Sequence, residues 1–116
     1  MKKIIALLLL LTVTISNAQK DSVTFEKSED MVKATYYYQD GSIKEQGFFK
    51  DKKLTGQWVS FNKQGEKTML ANYKEGKKVG KWFVWDKKLL KEINYVDNKL
   101  VAVKNWSEHA RLASNK

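Results

Sequence analysis

A single histidine, His109, and no cysteine leave this chain few side chains for nucleophilic or metal chemistry. A metal site usually needs three or four convergent ligands, and one imidazole near the end of the chain is a poor nucleus for them. Acid–base work by paired carboxylates needs two acidic groups facing one another across a substrate. Asp40, Asp51, Glu75, Asp86 and Asp97 are the candidates, but all lie in turn-forming stretches, where a carboxylate ordinarily bonds nearby backbone groups. No glycine-rich phosphate loop is present. The residue types argue against an enzyme, and no catalytic, cofactor-binding or metal-binding residue is expected. Two other sets remain. Tyr36, Tyr37, Tyr38, Phe61 and Trp85 offer rings for a binding face, and Lys52, Lys53, Lys77, Lys78 and Lys99 offer positive charge.

A repeat positions both sets. Gly56, Trp58 and Phe61 recur 24 residues later as Gly80, Trp82 and Trp85. Tyr73-Lys74-Glu75 falls on Phe49-Lys50-Asp51, and Gly65 falls on Gly41. Such a period marks units that cannot bury their apolar side alone. Three units follow: about Val32 to Thr55, Gly56 to Val79, and Gly80 to Val101. The third is two residues shorter, because its Asp86-Lys87-Lys88 turn lacks the glycine of the others.

Each unit reads as two strands and two turns. Asp40-Gly41 is a strong hairpin signal and Gln64-Gly65 a weaker one, since these residues tolerate the positive φ of tight primed turns. Asp51-Lys52, Glu75-Gly76 and Asp97-Asn98 supply turns at the opposite end. Segments such as Thr35-Tyr36-Tyr37-Tyr38, Trp58-Val59-Ser60-Phe61 and Trp82-Phe83-Val84-Trp85 suit a pleated surface. Short connections force neighbouring strands to run antiparallel. The expected fold is all-β: an elongated single antiparallel meander sheet of about three repeated β-hairpins, with six or seven strands. Phe49, Tyr73 and Tyr95 should form a ladder, with Trp58 and Trp82 as a row on the strands between. Alternation places Trp58 and Phe61 on opposite sides. Gly56 and Gly80 are candidate bulge positions.

The order Gly-x-Trp-x-x-aromatic, a turn glycine, then Tyr-Lys-Glu-Gly-Lys before the next glycine resembles the bacterial variant of the MORN repeat. Gly56, Trp58, Phe61, Gly65, Tyr73, Lys74, Glu75, Gly76 and Lys77 carry the resemblance, followed by Gly80, Trp82, Trp85, Tyr95 and Asp97. It covers roughly Val32 to Val101. The resemblance implies a sheet of hairpins that binds proteins or lipids, with no catalytic residues. Some relatives are labelled antitoxins of toxin–antitoxin pairs.

The N-terminus reads as an export signal. Lys2 and Lys3 precede an apolar run, Ile4 to Ile15, and Ser16-Asn17-Ala18 fits cleavage after Ala18. The run is 12 residues, short of the roughly 20 that cross a bilayer as a helix. Removing residues 1–18 leaves 98 residues with 20 basic and 13 acidic side chains, a net charge of +7. The expected organisation is a signal peptide over 1–18 and an N-terminal linker with room for an edge strand over 19–31. The repeat domain then covers 32–106 and a C-terminal tail 107–116. The chain is expected in the periplasm or outside the cell, which argues against nucleic acid as a partner. Three functions remain in view: a protein-binding or self-binding module, a module for anionic lipid or glycan of the envelope, and a neutraliser of a partner protein.

Overall fold

The computed structural model describes residues 21–87 and 89–106. The expected signal peptide and the tail bearing His109 lie outside the described residues. Within them the chain forms strands β1 (Ser22–Ser28), β2 (Met31–Tyr37), β3 (Ile43–Lys50), β4 (Lys53–Phe61), β5 (Lys67–Lys74), β6 (Lys77–Lys78), β7 (Gly80–Asp86), β8 (Leu89–Val96) and β9 (Lys99–Trp106). All lie in one antiparallel sheet in chain order, with the short β6 paired to β5 ahead of β7. The expected single antiparallel meander is thus present, and the flanking stretches extend it beyond the six or seven strands of the repeats, with β1 as the N-terminal edge strand and β9 as the final one. Lys27 to Asp30, read as linker, instead completes β1 and turns into β2 through Glu29 and Asp30.

The two ends of the sheet use different turns. At one end Asp51-Lys52, Glu75-Gly76 and Asp97-Asn98 each hold two consecutive positive φ angles, such as 50° and 63° at Asp51 and Lys52. This backbone matches the right-handed twist of the flanking strands. At the other end Asp40-Gly41 is not the tight primed turn that was expected. Only Gly41 has positive φ, 91°, and the loop is longer, because Tyr37 pairs with Ile43. Tyr38 N–H donates to Ser42 O at 2.8 Å, and Gly41 N–H to Tyr38 O at 3.0 Å. The next unit repeats both bonds, from Asn62 N–H to Glu66 O and from Gly65 N–H to Asn62 O.

Gly56 and Gly80 both sit at φ 66°. After each, the strand carries surplus residues. Between the pairs Gln46–Val59 and Phe48–Thr55, β3 advances two residues while β4 advances four. Between Leu70–Phe83 and Tyr73–Lys78, β5 advances three while β6–β7 advances five. Each two-residue bulge re-aims the following tryptophan over the preceding strand, a common use of bulges. Trp58 Nε1 donates to Phe48 O and Trp82 Nε1 to Asn72 O, both at 3.1 Å. These acceptors are themselves 24 residues apart.

The result is a continuous aromatic ladder on one side of the sheet. Ring centroids lie 5.2 Å apart for Phe49–Trp58, 6.5 Å for Trp58–Tyr73, 5.1 Å for Tyr73–Trp82 and 5.1 Å for Trp82–Tyr95. All four contacts are edge-on, the geometry favoured by the ring quadrupole and worth ~0.5–1.5 kcal/mol per pair beyond burial. Trp58 and Trp82 are buried with Ala34 and Ala71, and Tyr36, Leu54, Met69 and Ile93 pack around them. The two expected aromatic rows interleave into this single core. It ends at Tyr95, because the bulge between β8 and β9 holds one surplus residue, not two, and Val103 stands opposite Ile93.

Candidate interaction surfaces

Strand alternation sends a second set of residues to the other side of the sheet. There Thr35, Gln46, Val59, Leu70, Phe83 and Glu92 are successive register partners across six strands. The row is polar at its ends and apolar in its middle. Gln46 Nε2 donates to Thr35 Oγ1 at 3.0 Å, which satisfies the buried threonine. Val59, Leu70 and Phe83 are half-buried. Trp85, two residues beyond Phe83, lies 6.2 Å from it ring to ring and pairs with Leu90, which in turn pairs with Trp106.

The four tryptophans thus divide. The two of the ladder donate to backbone carbonyls. Trp85 Nε1 and Trp106 Nε1 are buried and have no acceptor among the described residues. An unmade buried hydrogen bond costs on the order of 1–3 kcal/mol.

The five rings singled out by type do not form one patch. Tyr36 lies on the ladder side, 6.5 Å from Trp58. Tyr37 lies on the other side, where its hydroxyl is 3.4 Å from Thr24 Oγ1. Phe61 follows Val59 by two residues and Trp85 follows Phe83 by two, which places both on that same side. Tyr38 stands past the end of β2. Its hydroxyl donates to Phe61 O at 2.7 Å, and Lys44 and Lys63 approach its ring at 5.7 and 5.8 Å.

The lysines gather as a rim along the primed-turn end. Gly76 N–H donates to Leu54 O, and Asn98 N–H to Lys78 O, both at 2.9 Å, so the turns of successive units touch. Lys52, Lys53, Lys77 and Lys99 are exposed there. Lys78 turns inward instead, with Nζ 5.3 Å from the ring centroids of both Trp82 and Tyr95. Asp51, Glu75 and Asp97 share the rim, and Lys50 pairs with Asp30 at 3.3 Å. Positive charge is therefore interrupted along the row.

Titration follows local bonding. The Ser42 hydroxyl and N–H both donate to the Asp40 carboxylate and hold its pKa below the ordinary 3.8. The Asp21 carboxylate beside Lys44 raises that ammonium above 10.5. Burial in the ladder raises the Tyr73 phenol above 10.0. Among the described residues, no three side chains come together as a metal site.

The most informative packing position was not singled out by residue type. Gly47 lies directly beneath Trp58. A Cβ placed there would sit 1.9 Å from the indole Cδ2. Its equivalent in the next unit is Ala71, buried beside Trp82. The 24-residue offset from Gly47 to Ala71 is the signal that links them, but only once the pairing is known.

No protein-family model matches the chain, and no curated protein matches it.

Proposed function

We propose that the chain is a non-enzymatic, exported interaction module of the MORN-like class, and that it binds a protein partner through the side opposite the ladder. The observation that carries this reading is the separation of the two sides. One side spends its rings and indole N–H groups on internal contacts. The other buries Leu90, the register partner of Trp85 and Trp106, and beyond it carries a half-buried apolar row, Val59–Leu70–Phe83, flanked by Tyr37, Phe61 and Trp85, with no second layer of strands over it among the described residues. Apolar and aromatic centres with polar margins are typical of protein interfaces. The resemblance to bacterial MORN variants and the N-terminal pattern support binding and export respectively. The neutraliser reading rests on that resemblance alone.

The rival is attachment to an anionic envelope surface through Lys52, Lys53, Lys77, Lys78 and Lys99. The alternation of these lysines with Asp51, Glu75 and Asp97 weakens it. Site-specific photocrosslinking in cells separates the two. A photoreactive phenylalanine at Phe61 or Tyr37 should yield a discrete protein adduct, while one at Lys52 should not. Adducts confined to Lys52, or made only with lipid or glycan, would overturn the proposal.

A further inference from the structure

Among the described residues the sheet has two open edges, and both are full-length strands. β1 and β9 each lack a neighbour on one side among the described residues. Among the described residues, five of the eight large exposed apolar side chains lie on these two strands: Val23 and Phe25 on β1, and Leu100, Val101 and Val103 on β9. β1 pairs with β2 through seven residues without a bulge, so its outer backbone groups form a regular row. β9 carries its one-residue bulge near Val101 and is regular from Ala102 to Trp106. Exposed apolar edges with a regular backbone row are templates for pairing with another strand.

The meander also sets which edges fit. Every neighbouring pair of strands is antiparallel, from β1 to β9. Along this alternation β9 runs opposite to β1. The β1 of a second copy therefore fits beside β9, antiparallel, with the ladder side still facing the same way. With Phe25 opposite Val103, both on the ladder side, Glu26 falls diagonal to Lys104 and the Glu29-Asp30 turn approaches Lys99. Charge favours this join over its alternatives. On the β1 edge Asp21 and Asp30 are paired with Lys44 and Lys50 of the same chain, which leaves Glu26 and Glu29 beside one lysine, Lys27, while β9 carries Lys99 and Lys104. Antiparallel pairing of β1 with β1, Phe25 opposite Phe25, sets Glu29 opposite Asp21, and pairing of β9 with β9 in the register that sets Val101 opposite Ala102 places Lys99 opposite Lys104. Like charges facing one another across strands destabilise the pair.

We infer that copies of this chain associate head to tail, β9 of one against β1 of the next, extending the sheet across the join. Because the two surfaces differ and the rotation need not close, such a contact generates an open series and not a fixed dimer. It uses the sheet edges and leaves the partner-binding side free, so it stands or falls separately from the function proposed above.

Sedimentation velocity over a concentration series tests it. The full chain should grow through dimer and trimer to longer species as concentration rises. Phe25→Lys and Val103→Lys each alter an exposed side chain at one end, and each alone should remain monomeric with an unchanged circular dichroism spectrum and melting temperature. Mixed together, the two variants retain one intact β1 edge and one intact β9 edge, and should form a 1:1 dimer that grows no further. A wild-type chain that stays monomeric, or stops at a dimer, overturns the inference. So does a mixture of the two variants that forms no dimer. If either variant unfolds, Glu26→Lys and Lys104→Glu replace them: each alone should weaken growth, and growth should recover when both changes are in one chain.

Discussion

At the scale of single residues, the fold depends on small groups placed under large ones. Gly47 is required because Trp58 occupies the space a methyl group would fill. Gly47→Ala should cost ~1–3 kcal/mol, since overpacking must displace the indole or the β3 backbone. Urea denaturation followed by tryptophan fluorescence measures that loss. Asp40 acts through its hydrogen bonds and not through burial. Its folded pKa lies below the ordinary 3.8, so its contribution is present above that pH and is lost as pH falls through the folded value. Melting curves of wild type and Asp40→Asn should differ near neutrality and converge in acid. Tyr73 has the opposite sign. Its phenol is raised above 10.0, so the stability it carries is present below that pH and lost as pH rises through the folded value.

At the scale of strands and turns, the hairpins differ in how well residue type suits backbone. Gly76 occupies the second position of its primed turn at φ 80°, whereas Lys52 holds the equivalent place at φ 63° with a Cβ. A left-handed conformation costs a residue with a Cβ ~1–2 kcal/mol, partly offset by the greater unfolded freedom of glycine. Lys52→Gly should therefore raise stability by a few tenths to ~1 kcal/mol, and Gly76→Lys should lower it by a similar amount. Thermal unfolding of both variants reads the difference. These turns also show what sequence reveals. The 24-residue rhythm and period-two alternation made the meander, the turn positions and the opposed Trp58 and Phe61 legible, because both arise from local backbone geometry. The turn type at Asp40-Gly41 was not legible, since the same dipeptide suits a two-residue primed turn and a longer loop. Tyr36, Tyr37 and Tyr38 could be divided only once the end of β2 was fixed. Gly47 carries no local mark that separates a packing glycine from a turn glycine.

At the scale of the molecule, a single sheet has no second layer to bury its apolar side, and repeats solve this by stacking rings along the sheet. Each unit contacts only its neighbours, so stability is close to a sum of units and junctions. The indole-to-carbonyl bonds at Trp58 and Trp82 fasten those junctions, whereas Trp85 makes no such bond among the described residues. The ladder side thus fastens unit to unit, while the opposite side buries Leu90, the register partner of Trp85 and Trp106, and leaves Val59, Leu70 and Phe83 half-buried. Equilibrium urea unfolding of Trp58→Phe, Trp82→Phe and Trp85→Phe tests this division most directly, because each exchange keeps a ring and removes the indole N–H. The first two should each lose ~1–2 kcal/mol, and the third should lose less than ~0.5 kcal/mol or gain stability, since it removes an unpaired donor. A Trp85→Phe chain as destabilised as the two ladder variants would contradict it.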